Sequence, residues 1–272
     1  MDKKYKLDLA EFLGWHVGDG CISITSRYSE YALTGDLSEE LLFYEEIVVP
    51  TFNKIFNKHL KKNISLKKYK STGVCGIYVF DHKFIQFLQK SCDLRSGKKI
   101  NISIPKVIHS LEEKKRFLRG LFDTDGSIYF CNSLVKTKGD SLYTIFHYKP
   151  KIKLATISEI LIRQVKETLL SLGYSPRSYS PMKQRECDNY IYSVVLDINK
   201  DVIRWIKEIG FKNPKHKTKI ELWEKFGFCP PKTTIAQRFM ILDKKLNPLS
   251  FYTNGNNIPL DEIKKRLPLR IR

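Results

Sequence analysis

The chain has 272 residues, enough for one large domain or two small ones. Its 48 Lys and Arg against 29 Asp and Glu leave a net charge of +19, which points to a polyanionic partner, because neutralising phosphates releases counterions and supplies affinity regardless of sequence. A hydrophobic content of 42% with 16 Phe, 14 Tyr and 3 Trp excludes global disorder; no run approaches the roughly 18 apolar residues of a spanning helix, so nucleic acid stands ahead of a membrane. The cysteines at 21, 75, 92, 131, 187 and 229 are scattered, with no C-x-x-C pair and no His at zinc spacing, so no structural zinc is expected. The first residues, MDKKYKLDLAEF, carry no apolar signal core, and the thiols suit a reducing, intracellular compartment, cytoplasmic or nucleoid, with an organellar source left open.

Taken in chain order, the first periodic run ends at Asp19-Gly20 and reads as a helix, with Asp8 and Glu11 at cap-to-third-residue spacing. A short alternating strand, Cys21-Ile-Ser-Ile-Thr, follows. Next come a helix-like run from Ser38 to Phe56 with a break near Pro50, strands at Ile64 to Lys70 and Val74 to Asp81, and a helix near Lys83 to Lys90. The segment Gly97 to Lys106, with its Gly-Lys-Lys and proline, is a joint. Beyond it the first pattern returns: Leu9 to Gly20 recurs as Lys115 to Gly126, with Gly14, Asp19 and Gly20 matching Gly120, Asp125 and Gly126. Ser110 and Glu113 repeat the cap spacing, and Ser127-Ile-Tyr-Phe repeats the strand. A strand around Tyr143 to Ala155, a helix from Ser158 to Leu172, strands at Arg177 to Lys183 and Tyr190 to Asp197, and a helix near Asp201 to Ile209 complete the copy. The prediction is an α+β fold of two pseudo-symmetric αββαββα halves, residues 1–105 and 106–212, with residues 213–272 as a helical appendage carrying turns at Cys229-Pro-Pro and Asn247-Pro.

Within the two repeated helices, Gly14 with Gly18 and Gly120 with Thr124 put small residues four apart on one face. A glycine inside a helix costs about 1 kcal/mol against alanine, which is tolerated where a second backbone must approach closely. The partner for each small face is the other copy. Asp19 and Asp125 then emerge side by side at the carboxyl ends of two helices, each facing a like charge and the negative end of a helix dipole. Divalent cations bridging carboxylates to phosphate oxygens fit such a gap beside a polyanion, and one carboxylate per helix suffices for Mg²⁺, which keeps several waters. A single Asp-Gly after a helix is an ordinary cap and turn. Its duplication together with the small face is what a two-carboxylate site requires.

Phe12 to Gly20 and Leu118 to Gly126 resemble the two signature helices of the LAGLIDADG homing endonucleases in their double-motif, single-chain form. The Gly97-Lys-Lys and Gly227-Phe-Cys-Pro-Pro segments look like archaeal-type members. The resemblance implies a saddle of two antiparallel sheets on double-stranded DNA, with helices outside and the motif helices at the centre. It also implies an Mg²⁺-dependent, site-specific endodeoxyribonuclease that cuts both strands of a long asymmetric site and leaves short 3′ overhangs. Mn²⁺ is expected to substitute and Ca²⁺ to support binding without cleavage. By the same resemblance Asp19 and Asp125 are the catalytic, metal-binding acids, with Gly18 and Thr124 just before them in the metal site, and Lys83 and Lys200, each beginning a helix after the last strand of its half, organise solvent. Val17 stands where the second copy has Asp123, a position the family tolerates. His16 is expected to pack rather than to act. The alternatives on this scaffold are an RNA maturase acting on intron RNA and a DNA-binding protein that does not cut. An opening Met and the lack of a terminal His-Asn point to an intron-encoded or free-standing monomer rather than an intein.

On strands with one face on the core, alternate residues point outward. Ile22 and Ile24 inward would place Ser23, Thr25 and Arg27 outward; Ile128 and Phe130 inward leave Ser127 and Tyr129. Lys67, Lys68, Lys70, Arg177, Tyr179, Lys183 and Arg185 complete the expected DNA-binding set, Arg suiting guanine and the others mixing base and phosphate contacts.

Overall fold

Asp2 opens the first helix by accepting the amide of Lys4 at 3.3 Å, so α1 spans Lys3–Asp19 and its cap lies six residues before the expected one. A computed structural model describes residues 2–136, 143–183, 185–252 and 259–267 of the chain. Asp8 therefore lies inside α1, where it pairs with Lys54, and Glu11 is fully buried. The first half continues through β1 (Gly20–Ile24), β2 (Ser29–Asp36), α2 (Leu41–Phe43), a π-helical turn (Tyr44–Val48), α3 (Val49–Leu60), β3 (Lys67–Tyr69), β4 (Val74–Val79) and α4 (His82–Cys92). The break expected at Pro50 is that π turn, where the amide of Val49 reaches back to the carbonyl of Tyr44. Shifting the register ahead of Pro50 spares the helix the missing donor and the ring clash, so it bends its hydrogen-bond ladder without stopping.

The second half repeats the order: α5 (Leu111–Thr124), β5 (Gly126–Lys136), β6 (Tyr143–Thr156), α6 (Glu159–Ser171), β7 (Arg177–Met182), β8 (Ile191–Leu196) and α7 (Asn199–Glu208). Here the expected cap holds. Ser110 accepts the amide of Glu113 at 3.2 Å and the Glu113 carboxylate accepts that of Ser110 at 3.0 Å. The sheets have matching antiparallel topology, β1-β2-β4-β3 and β5-β6-β8-β7. Each buries one face under helices. Ile22, Tyr31 and Val79 form one inward row of the first sheet, and Ile128, Ile152 and Leu196 one of the second. Ile24 shares the parity of Ile22 but is 45% exposed, because the strand ends there, beyond the helix layer.

The halves meet through α1 and α5. A side chain at Gly14 would land on the backbone of Phe117 and Leu121, and one at Gly120 on the carbonyl of Glu11. The small faces are thus in backbone contact, as the spacing predicted. Around the crossing, Phe12 packs on Phe52 and Phe56, and Phe122 on Trp205 at 4.6 Å between rings. Glu11 locks the halves together: it accepts Arg119 at 3.0 and 2.6 Å and also pairs with Arg116 and Lys212. A fully buried carboxylate with several cationic donors meets the condition under which burying charge is tolerated.

The tail is not a loose appendage. Its helices α8 (Pro214–Phe226), α9 (Ile235–Leu242) and α10 (Leu260–Arg266) add Leu222, Trp223, Phe226, Ile241 and Ile263 to the common core. Arg238, 1% exposed, binds Thr218 on α8, the carbonyl of Thr233 and Glu39 of the first half. Trp223 donates to the carbonyl of Tyr148, and the amide of Cys229 to that of His147, in the second sheet. Among the described residues no helix is long and apolar enough to cross a membrane.

Candidate active site

The helix crossing sets the site. Gly18 faces Thr124, whose hydroxyl turns back onto the carbonyls of Gly120 and Leu121 at 3.2 and 3.1 Å, so the two helices can close down to their last turns. Asp19 ends α1 and Asp125 caps α5. Each carboxylate acts electrostatically within one cluster that also holds Glu40, Lys99 and Lys215. Burial, then the charges of Asp125 and Glu40, push the Asp19 carboxyl up to about 7 against the pull of Lys99 and Lys215. Asp125 is more open to solvent; its carboxyl is also raised, chiefly by its enclosure, with Lys99 opposing.

Among the described residues neither carboxylate accepts a hydrogen bond or forms a direct ion pair. Two partly enclosed anions with free oxygens, beside a third, are a donor set for a hard divalent cation. No cluster of three or more His, Cys, Asp or Glu that could hold a metal ion occurs among the described residues.

The positive charge comes from residues that the repeat did not mark. Lys99, in a single helical turn of the joint (Lys99–Asn101), donates to the carbonyl of Gly18. Burial lowers its ammonium's pKa, and the attraction of Asp125 and Asp19 works against that shift. Lys215, at the start of α8, pairs with Glu40 at 3.3 Å. Glu40 is buried and also accepts the side-chain amide of Asn213 at 3.1 Å and the backbone amide of Asp36 at 3.0 Å. Lys83 and Lys200 are exposed on α4 and α7, and neither is among the charges that act on the aspartates. The structure brings Lys99 and Lys215 to the pair instead. The composition of the Gly97-Lys98-Lys99 joint was the available signal for the first; nothing local signals the second, which arrives from 196 residues after Asp19 only because the tail folds back.

Asp123, which has no counterpart in the first copy, is a tail anchor. Its Oδ1 accepts the amides of Lys212 and Asn213 at 2.9 and 3.0 Å, and the Asn213 side chain donates to its carbonyl. Complete burial pushes its carboxyl up to about 8. His16 packs as expected, stacked on Tyr31 at 5.7 Å, with its pKa lowered to about 3 first by burial and then by Lys99.

The aspartate pair predicts a pH effect. Asp19 releases its proton near 3.8 when unfolded and near 7 in the folded, metal-free site. Between these values the folded state holds the extra proton, so this group's contribution to stability falls as pH rises and is level above the window. In chelator, the melting temperature of the wild type should drop relative to that of Asp19→Asn from about pH 4 to 7, and divalent cation should restore it at pH 8. A constant difference between the two proteins across the window would refute this account.

The free sheet faces hold part of the expected contact set. In the first sheet Ser23, Lys67, Tyr69 and Tyr78 share the free parity. Lys68 does not: it lies opposite buried Cys75, on the helix side, and pairs with Glu45 at 2.5 Å. Lys70 follows the strand in a turn; Thr25 and exposed Arg27 form the β1–β2 turn, where the Thr25 hydroxyl accepts the amides of Arg27 and Tyr28. In the second sheet Ser127, Tyr129, Arg177 and Tyr179 share a face with Lys151 and Lys153 of β6, which the strand pattern alone did not single out. Arg177 and Lys151 approach Asp197 at 3.3 and 3.9 Å. Lys183 lies 4.5 Å over the ring of Tyr190, and Arg185 pairs with Asp188 in the β7–β8 connection.

Comparison with known proteins agrees with this architecture. Residues 112–210 match the family described as LAGLIDADG-like domain. A structure of mesophilic variants of the homing endonuclease I-DmoI has a TM-score of 0.52 at 16% identity, covering 76% of this chain and 92% of that one. I-DmoI in complex with DNA and Mn gives 0.52 at 17% identity, covering 76% and 97%. Among curated proteins, a replication factor C small subunit of Methanocaldococcus jannaschii is 23% identical over 219 residues, 80% of this chain. The match spans 10% of the length of that relative. The second half thus matches the LAGLIDADG-like domain, the first half repeats its sheet topology, and the chain shares the fold of I-DmoI.

Proposed function

We propose that the protein is a site-specific, divalent-metal-dependent DNA endonuclease that acts as a monomer, hydrolysing one phosphodiester on each strand. The observation that carries this is the meeting of Asp19 and Asp125 at the ends of two helices in backbone contact, with both carboxylates unpaired and raised. The fold neighbour I-DmoI was determined with DNA and Ca and with DNA and Mn, which supports the choice of substrate and cofactor. Asp19 and Asp125 would hold the cation, and Mg²⁺ there would supply charge stabilisation for the leaving oxygen and activation of water. Lys99 favours the ionised aspartates and fixes the end of α1 through the carbonyl of Gly18. Lys215 and Asn213 hold Glu40 against the cluster. The duplex lies over the free faces, with Ser23 and Lys67 of the first sheet and Ser127, Tyr129, Lys151, Lys153, Arg177 and Tyr179 of the second directed at it.

The test is incubation of the purified protein with a randomised duplex library in Mg²⁺, with Ca²⁺ as control, and sequencing of the ends. Recurrent cuts with a short 3′ overhang inside one long asymmetric motif are expected. Duplex binding with no cut in Mg²⁺ or Mn²⁺ would overturn the nuclease reading and direct the next assay to structured intron RNA.

A further inference from the structure

The tail leaves a charge unexplained. Lys219 on α8 turns its ammonium inward, where its polar partner is the carbonyl of Ile128 on β5 at a long 3.4 Å. Among the described residues it forms no ion pair, and burial together with nearby Arg238 lowers its pKa. An enclosed ammonium without a carboxylate is costly, and such a group is retained where an anion completes it.

Lys219 lines a cavity of about 270 Å³ with Tyr129, His147, Cys229, Lys232 and Thr233, and no acidic residue contributes to its wall. His147 presents a buried Nδ1 that has no partner, and its low pKa keeps the ring neutral, able to donate one hydrogen bond. Lys232, exposed, brings a second ammonium. The cavity therefore offers two cationic donors and a neutral one. Tyr129 ties it to the free face of the second sheet, where it lies opposite Lys151. β5 is the edge strand of that sheet, so a duplex on the free face passes beside the cavity.

We propose that this cavity, built jointly by the edge of β5, α8 and the loop at Cys229–Thr233, is a backbone-phosphate site that clamps the DNA through Lys219 and Lys232. It rests on the reading of the protein as a DNA-binding endonuclease, and assigns the tail a part in substrate capture. A phosphate seated there recovers the desolvation cost of Lys219 and adds a contact that carries no base specificity.

Duplex affinity is measured in Ca²⁺ over a salt series for the wild type, Lys219→Met and Lys232→Ala, using the target from the cleavage screen. Met keeps the apolar stem of Lys219, and the exposed Lys232 variant tests the site if Lys219→Met fails to fold. Each variant should bind roughly tenfold more weakly to target and unrelated duplex alike, with the slope of log K against log salt shallower by about 0.9. A scan of single methylphosphonate substitutions locates the contact: one neutralised phosphate should weaken the wild type and leave Lys219→Met unaffected. Unchanged affinity and slope in a folded variant would overturn the phosphate site while wild-type binding and cutting stand. Wild-type protein that binds no duplex would instead remove the reading on which it rests.

Discussion

Asp19→Asn should fold, bind its duplex in Ca²⁺ with little change, and lose double-strand cleavage in Mg²⁺ by about a thousandfold or more. The carboxylate sits at the negative end of α1, against a like charge, and its pKa near 7 shows how strongly the bare site resists ionisation. That resistance is what a cation relieves. Asparagine keeps the shape and one acceptor oxygen but removes the charge, so the several kcal/mol of transition-state stabilisation that a metal provides are lost. Because the amide carries no buried charge, the variant should also melt higher than the wild type in chelator at pH 8. Asp125→Asn should behave alike, with less thermal gain, since Asp125 is more exposed. Nicked product in place of linear product would show one carboxylate serving one strand. Unchanged double-strand cleavage by Asp19→Asn would remove that residue from the mechanism.

Gly120→Ala should destabilise the protein by about 3 kcal/mol or more, lowering the melting temperature by roughly 10 °C. Alanine is the better helix former by about 1 kcal/mol, so propensity alone predicts the opposite sign. Packing decides the matter. The added methyl would meet the carbonyl of Glu11 and approach the Cα of Gly14 at 3.2 Å, and these are backbone atoms with no rotamer to yield. Separating the helices would also pull Arg119 from buried Glu11 and move Asp19 away from Asp125. Gly14→Ala, which meets the backbone of Phe117 and Leu121, should cost a similar amount, and the double variant less than the sum, because one displacement makes room for both methyls. Thermal melts of the four proteins check this; additive losses would mean that the two glycines do not share one crossing.

The tail belongs to the site's framework as much as the motif helices do. Glu39 and Glu40 are adjacent, and both are held from the tail: Glu39 by Arg238 and the amide of Ile235, Glu40 by Asn213 and Lys215. Asn213 joins this loop to Asp123 on α5. The hydrogen bonds thus run from the first half through the tail to the second motif helix.

The sequence by itself determined what periodicity and local chemistry encode. The repeated small-residue face could only be a close helix crossing, because glycine in a helix is disfavoured unless a backbone needs the space; the alternating strands, the Ser110 cap and the order of elements in each half are likewise short-range. Cap spacing misled at Asp8 and Glu11, where Asp2 supplies the cap and Glu11 is held by Arg116 and Arg119 from the other half. Pro50 read as a break because a π turn leaves no composition signature. Lys68 read as outward because strand parity is invisible until its partner, Cys75, is known. Only the tertiary structure could show that Lys99, Glu40 and Lys215 surround the aspartates, that Lys83 and Lys200 lie exposed on α4 and α7, and that the tail is woven through both halves. Electrostatics depends on distance in space, and apart from its repeat partner Asp125 the residues that act on Asp19, Glu40, Lys99 and Lys215, come from three segments with no shared period in the chain.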